Sequence, residues 1–234
     1  MKIDNAVALV TGANRGIGLA FTRSLLARGA RRVYAGARDP STVKVPGVEP
    51  VRLDVTKPDE VTAVAARARD VTLLINNAGV GQIGGFLAPD SEESARRHLE
   101  TNFFGMLRMS HAFAPVLAAN GGGALLNVLS IASWINGGQL AAYAASKSAA
   151  WSLTNSLRHE LAAQRTQVLA LHMAFVDTDL ARGLEGPKTS PEDIVKSALD
   201  GLEAGLDEVL ADDRTRLVKQ GLTAATPSYL PTRA

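Results

Sequence analysis

Cysteine is absent from the 234 residues, which removes disulfides, a thiolate nucleophile and a cysteine-built zinc knuckle from consideration. No apolar run approaches the roughly eighteen residues that a membrane-spanning helix needs. Blocks of like charge are also missing, and the net charge is only +2, so neither nucleic acid nor a membrane surface is an expected partner. The basic pairs Arg31–Arg32 and Arg96–Arg97 read as solvated faces. Met1 to Val10 carries Lys2 and Asp4 ahead of a short apolar run that ends in a glycine-rich turn, which is not the layout of a secretory leader. The expected location is cytoplasmic. No internal repeat, long linker or metal site is expected.

What is present is a core-forming composition, 46% hydrophobic and 21% charged, enough for one well-buried domain and short for two. The expected division is a single domain over residues 1–225 and an extended or frayed tail over 226–234, which contains Pro227 and Pro231. Six apolar runs have strand length: Ala6 to Gly12, Arg31 to Ala37, Pro50 to Val55, Val71 to Asn77, Ala124 to Ser130 and Thr166 to Met173. A seventh spans Asp207 to Asp212. Their hydrophobicity is continuous, which suits strands covered on both faces. Helical patterns lie between them, at Gly16 to Arg28, Pro58 to Arg69, Ser91 to Ala119, Leu140 to Ala163 and Pro191 to Ala204. Pro58 and Pro191 fall near helix starts, with Thr56 and Ser190 as expected caps. Asp39 to Glu49 is too short and too rich in Pro and Gly for a crossover helix. The alternation predicts an α/β fold, a Rossmann-like doubly wound parallel sheet of about seven strands with helices on both faces.

The segment TGANRGIG, Thr11 to Gly18, sits between the first strand and the first helix, where such sheets bind a dinucleotide pyrophosphate. Gly12 permits the tight turn, Gly16 lets backbone approach phosphate, and Gly18 allows close helix–sheet packing. Free amides of the helix start, around Asn14, Arg15 and Ile17, then stabilise the anion. At the end of the second strand stand Ala37 and Arg38, where an acid would bond a ribose 2′-hydroxyl and an arginine accommodates a 2′-phosphate. Arg15 adds a second guanidinium within reach. NADP(H) is therefore expected over NAD, with Asp39 as the competing ribose acid. Asp54, with Val55 beside it, is placed for the adenine edge, or else caps a helix start.

Tyr143 and Lys147 stand one helical turn apart in YAASK, on one helix face. An adjacent ammonium lowers a phenol pKa from about 10 toward working pH, which makes Tyr143 a candidate general acid/base. Ser130 ends the strand-like run ALLNVLS and supplies a further hydroxyl. Two hydroxyls on a substrate oxygen beside a dinucleotide point to carbonyl/alcohol redox chemistry.

These segments resemble the short-chain dehydrogenase/reductase family over about Val7 to Leu180. TGANRGIG is similar to its TGxxxGxG cofactor turn, NNAG at Asn76 to Gly79 to its motif after the fourth strand, and Ser130, Tyr143 and Lys147 to its serine and YxxxK pair. The resemblance implies that Tyr143 protonates the carbonyl oxygen, that Ser130 polarises it, and that Lys147 also binds the nicotinamide ribose. Asn102, in LETNFFG, matches the helix-borne asparagine that holds a water linking the lysine to solvent. Asn76 and Asn77 read as structural, Ala78 and Gly79 as small residues that let the cofactor pass. Val176 and Thr178 match positions contacting the nicotinamide carboxamide, although Met173 and Ala174 replace the Pro-Gly pair that often precedes them. His172 reads as a core residue rather than a rival acid/base.

Around the catalytic trio the expected substrate wall is mainly apolar: Val80, Ile83, Phe86, Ser133, Trp134, Ile135, Leu140, Phe175, Leu180 and Leu184. A hydrophobic ketone or aldehyde is the expected substrate. Asp177 to Lys188 resembles the family's lid, and the small residues of the long helices suit a homodimer or homotetramer. A different class of function, a non-catalytic NADP(H)-binding sensor, has no use for an intact Ser130, Tyr143 and Lys147.

Overall fold

The structure, a computed structural model, describes residues 1–230; the end of the expected tail, 231–234, lies outside the described residues. Seven strands form one parallel sheet: β1 (Val7–Thr11), β2 (Arg32–Ala37), β3 (Glu49–Arg52), β4 (Leu73–Asn76), β5 (Gly123–Val128), β6 (Thr166–His172) and β7 (Glu208–Leu210). Their order is β3-β2-β1-β4-β5-β6-β7. Seven α-helices accompany them among the described residues: α1 (Gly16–Ala27), α2 (Pro58–Arg67), α3 (Ser91–Leu99), α4 (Gly105–Ala119), α5 (Ala141–Glu160), α6 (Pro191–Glu203) and α7 (Asp213–Gly221). No helix among the described residues is long and apolar enough to cross a membrane.

The continuous hydrophobicity of the strands has the expected origin. Ala8 and Val10 of β1, Leu73 and Ile75 of β4, and Leu126 and Val128 of β5 pack with Phe21 and Leu25 of α1 and Ile194, Ala198 and Leu202 of α6. The alternate residues Val7, Leu9, Leu74 and Leu125 pack on the other face with Val61 and Val64 of α2, Met109, Phe113 and Leu117 of α4, and Leu157 of α5. Both sides of the pleat are thus buried, and a period-2 pattern cannot be seen in the sequence.

Polar side chains then fix the helices in register. Asn76 Nδ2 donates to Asn127 Oδ1 at 2.9 Å, and Asn127 Nδ2 donates to Thr154 Oγ1 at 2.9 Å, tying β4 to β5 and β5 to α5. Asn76 is structural, as expected, and acts through the side chains of Asn127 and Ser110. At the winding reversal between β1 and β4, the Thr11 hydroxyl donates to the Ile75 carbonyl at 3.3 Å and accepts from the amides of Asn77 and Ala78, each at 2.9 Å. Asn77 Nδ2 returns to the Thr11 carbonyl at 2.8 Å.

Four details depart from the sequence expectation. The single helix expected over Ser91 to Ala119 is interrupted by a π-helical turn, Glu100–Phe104, that holds Asn102. Asn102 accepts from the Val80 amide at 2.8 Å and donates to the Val80 carbonyl at 2.9 Å, and π-bulges are frequent beside functional sites. Thr56 does not cap α2, which starts after Lys57, because its hydroxyl donates to Asp54 Oδ1 at 2.8 Å. Ser190 does cap α6, accepting from the Asp193 amide at 3.1 Å. The helix α7 was not expected; Asp212 caps it through the Thr215 amide at 2.8 Å. Beyond it the chain turns back rather than extending, the Ser228 amide donating to the Gly221 carbonyl at 3.0 Å.

The turn between β1 and α1 leaves no room for a side chain at Gly18, where a Cβ would stand 2.1 Å from the Gly12 carbonyl oxygen and 2.6 Å from Asn77 Nδ2. Gly18→Ala is expected to destabilise the protein by about 1–3 kcal/mol, seen as a lower urea midpoint with unchanged slope; an unaltered midpoint would contradict this packing.

Candidate active site

A cleft of about 1080 Å³ runs along the carboxyl ends of the strands. That is where ligands bind in open α/β sheets, at the point where the strand order reverses. One end is lined by Gly12, Asn14, Arg15, Gly16 and Ile17, with Ala37, Arg38, Asp54 and Val55 facing them. Asn77, Ala78 and Gly79 line the middle, and Ser130, Tyr143 and Lys147 lie at the other end with Val176 and Thr178. Gly18 lies beneath the turn as packing.

The glycine turn offers the space a pyrophosphate needs. Gly12 has φ +66 and Gly16 φ +53, backbone that L side chains rarely adopt, and a Cβ on Gly16 would meet Thr178 Cγ2 at 3.2 Å. At Gly79 the constraint is milder, a Cβ there standing 3.3 Å from Asn102 Oδ1. Asn14 Nδ2 donates to Thr42 Oγ1 at 3.1 Å, bracing the turn against the loop after β2.

Charge at the β2 end is cationic. Arg38 is exposed and forms no ion pair among the described residues. Asp39, the competing ribose acid, is spent locally: its carboxylate accepts from the Ser41 amide at 3.0 Å, and the bonds from Ser41 hold its pKa below the ordinary range. Burial pushes the Asp54 carboxyl up, but the amide and hydroxyl of Thr56, with the charges of Arg38 and Lys57, outweigh it and bring the pKa down. Arg15 departs from expectation. Its guanidinium turns to Asp179 on the loop after β6, Nη1 to Oδ2 3.1 Å, rather than toward Arg38. That pair is well exposed and weakly held.

At the catalytic end the trio is brought together by three elements. Ser130 follows β5 in extended backbone, its Oγ accepting from the Ala132 amide at 3.1 Å and donating to the Met173 carbonyl at 3.4 Å. Tyr143 and Lys147 share the face of α5 that lines the cleft. Asn102 holds that helix, donating to Ser146 Oγ at 2.9 Å. With its amide committed to Val80 and Ser146, Asn102 acts as a brace. His98, which the sequence reading passed over, is fully buried and packs edge-on to the Tyr143 ring, centroids 6.5 Å apart.

The expected effect of Lys147 on Tyr143 is not seen in the protein alone. The ammonium donates to the Val128 carbonyl at 2.7 Å and sits 5.7 Å from the phenol ring centroid. Burial dominates both groups, pushing the Tyr143 phenol up, against the Ser130 hydroxyl, and the Lys147 ammonium down to about 8. Desolvation penalises whichever form is charged.

The substrate wall is partly as expected. Val80, Ile135, Leu140, Phe175, Leu180 and Leu184 line the cleft. Ile83 and Phe86 point to solvent. Ser133 is buried, and Trp134 turns away to stack on His172, centroids 4.0 Å apart, because the short turn Ile131–Ser133 rotates the chain after Ser130. Arg214, at the start of α7, lines the cleft and was missed; an exposed arginine in a charged segment gives no periodic signal.

A profile described as short chain dehydrogenase matches residues 6–188. The chain belongs to the short-chain dehydrogenase family. It is therefore an oxidoreductase of the NAD(P)-dependent kind, on the fold described above. Within the family it is similar to galactitol 2-dehydrogenase (L-tagatose-forming) of Cereibacter sphaeroides, 35% identical over 190 residues, 76% of this chain and 74% of the relative. It is also similar to 1-deoxy-11-beta-hydroxypentalenate dehydrogenase of Streptomyces exfoliatus, 34% identical over 92% of this chain and 82% of the relative. A short chain dehydrogenase of Burkholderia cenocepacia, solved in complex with NADP, superposes with a TM-score of 0.93 at 41% identity, covering 96% of this chain and 95% of that one. In this member Met173 and Ala174 stand in place of the frequent Pro-Gly pair, and the loop is anchored otherwise: the Ala174 amide donates to Asp212 Oδ2 at 2.8 Å.

His172 sets the backbone beside Ser130. It is fully buried, and its Nδ1 lies 3.1 Å from the Ser130 carbonyl, as donor to it. Burial, more than the nearby charges of Lys219, Arg158 and Lys147, pushes its pKa down to about 3, against the Ser130 bond. The unfolded chain protonates near about 6.5, so the stability a neutral His172 confers is complete above that value and is lost as pH falls toward about 3. His172→Asn keeps a donor but does not titrate. The stability difference between parent and variant is expected to move against the parent on acidification from about pH 7 to about pH 4.5, by at most about 1.4 kcal/mol per pH unit. Urea titrations showing a constant difference would contradict a neutral buried imidazole.

Proposed function

We propose that the chain is an NADP(H)-dependent dehydrogenase/reductase that transfers a hydride between the nicotinamide and a carbonyl or secondary alcohol on a mainly apolar molecule. The observation that carries this is one cleft with a phosphate cradle and a free Arg38 at one end and Ser130, Tyr143 and Lys147 at the other. The NADP bound by the Burkholderia relative supports the cofactor choice. Gly12, Asn14, Gly16 and Ile17 would hold the pyrophosphate, Arg38 the 2′-phosphate, Asp54 and Val55 the adenine, and Asn77, Ala78, Gly79, Val176 and Thr178 the nicotinamide half.

When bound, the reduced nicotinamide supplies the hydride. Tyr143 donates its phenolic proton to the substrate oxygen, and its raised pKa keeps that proton in place until charge develops there. Ser130 Oγ, weakly engaged with the Met173 carbonyl, is free to donate to the same oxygen and stabilise it. Lys147, low in pKa and fixed on the Val128 carbonyl, would bind the ribose hydroxyls and return a proton to Tyr143, with Asn102 bracing the path to solvent. In the oxidative direction the phenolate is the base. The apolar side chains of Ile135, Leu140, Phe175 and Leu184 suit a carbonyl flanked by hydrocarbon. A cytoplasmic homodimer or homotetramer belongs to the proposal, supported by the exposed Phe104 and Leu107 beside the α3–α4 junction.

Tyr143→Phe is expected to lower kcat for NADPH oxidation on a panel of ketones and aldehydes by about 10²–10⁴-fold while NADPH still binds. NADPH binding by the parent without turnover on any substrate would favour a non-catalytic sensor instead. Removing one charge-assisted contact to the 2′-phosphate should matter equally: Arg38→Ala is expected to weaken NADPH binding about tenfold or more and leave NADH nearly unchanged. Equal losses for the two cofactors, measured by fluorescence titration, would sink the NADP assignment.

A further inference from the structure

The charged side chains lining the cleft fall into groups with evident partners or roles, save one. Arg15 pairs with Asp179; Arg38, Asp39 and Asp54 belong to the adenosine end, and Lys147 is fixed on the Val128 carbonyl. Arg214 is the exception. It lines the substrate end, belongs to neither the cofactor turn nor the catalytic trio, and forms no ion pair among the described residues.

Its seat is built. The guanidinium lies over the Phe175 ring, 5.1 Å from the centroid, and Phe175 is itself a wall of the cleft one residue before Val176. Gly186 closes over both: a Cβ there would stand 3.7 Å from Arg214 Nη1 and 3.9 Å from Phe175 Cδ2. Contact with a ring face engages a guanidinium through its π surface and leaves the in-plane N–H donors open. The neighbouring acids do not quench it. Asp212 accepts from the Ala174 and Thr215 amides at 2.8 Å each, and Asp213 pairs with Arg216 at 2.6 Å. Two other nearby cations are committed as well, Arg216 also to the Leu210 carbonyl at 2.8 Å and Lys219 to Glu208 at 3.0 Å.

We infer that Arg214 is a specificity residue that receives a carboxylate carried by the substrate at a distance from its reacting carbonyl. The inference rests on the reductase reading above and narrows it, from an apolar ketone to an apolar oxo acid or hydroxy acid. Tyr143 and Ser130 hold the oxygen that reacts, Ile135, Leu140 and Leu184 cover the hydrocarbon, and the free fork beyond Phe175 takes the charge. A single planar fork with no second available cation matches a planar monoanion. A phosphate dianion would retain one uncompensated charge against apolar walls.

The test uses levulinate and its homologues with longer methylene spacers, each beside its own methyl ester, on the full-length protein. Two quantities are read: kcat/KM with NADPH, and binding to the NADP⁺-loaded protein by calorimetry. For the best spacer length the acid is expected to be preferred over its ester by about tenfold or more in both, in line with a charge-assisted bidentate contact. Arg214→Ala should bring acid and ester to within about twofold, through KM rather than kcat, with ester turnover and NADPH binding retained; Arg214→Lys should restore part of the preference. Acids and esters treated alike by the parent, or a preference that survives in Arg214→Ala, would overturn the assignment. Acid-selective binding that depends on Arg214 but brings no turnover of any compound would keep the carboxylate site and remove the reductase reading.

Discussion

The reversal of winding between β1 and β4 is the constraint from which the site follows. Crossovers between parallel strands are right-handed, so helices on the two sides of the reversal must go to opposite faces of the sheet, and the carboxyl ends of β1 and β4 stay uncovered. Thr11 and Asn77 stitch those two ends together with side-chain-to-backbone bonds. This makes the glycine turn and the NNAG segment two walls of one cleft. The demand for small residues at Gly12 and Gly18 is a consequence of that closeness: a Cβ on Gly12 would stand 3.1 Å from the Ala78 Cα, and one on Gly18 2.6 Å from Asn77 Nδ2.

Within the cleft, desolvation competes with charge, and in the protein alone desolvation prevails. A phenol pushed up and an ammonium pushed down are what burial dictates, and on the function proposed above this order leaves the acid proton on Tyr143 and the reservoir on Lys147. The simple picture of a lysine acidifying its tyrosine neglects that the ammonium has a closer partner in the Val128 carbonyl. What α5 provides is placement, enforced by the chain of amides from Asn76 through Asn127 to Thr154 and by Asn102 on Ser146.

Much of this was legible in the sequence, for physical reasons that differ by element. The strands announced themselves by unbroken apolar runs, since β1, β4 and β5 are buried on both faces, and the glycine turn by residues whose absence of Cβ the backbone requires. Strand and helix ends shifted by one to three residues, most at the ends of β3 and α5. The π-helical turn at Asn102 was illegible because the partners of that side chain, Val80 and Ser146, are distant in sequence. The turn after Ser130 was illegible too, so Trp134 was assigned to the substrate wall when it covers His172. α7 escaped notice because it is short and mostly polar, with Thr215 its one fully buried residue; its start rests on one capping carboxylate, Asp212.

That carboxylate also explains how the loop after β6 is held without the usual Pro-Gly pair. A proline there restricts backbone through its ring; Met173 restricts nothing, and a hydrogen bond from the Ala174 amide to Asp212 takes over the restraint. The other oxygen, Oδ1, caps α7, so one side chain helps to fix both the loop that carries Phe175, Val176 and Thr178 and the helix that carries Arg214. Loop and helix are therefore positioned as a unit, and the guanidinium over Phe175 is its outer edge. Beside the backbone bonds that pair Phe175 and Asp177 with Thr189, Asp212 gives loop and helix a shared anchor, and it lies beyond residues 6–188, the segment the family profile matches.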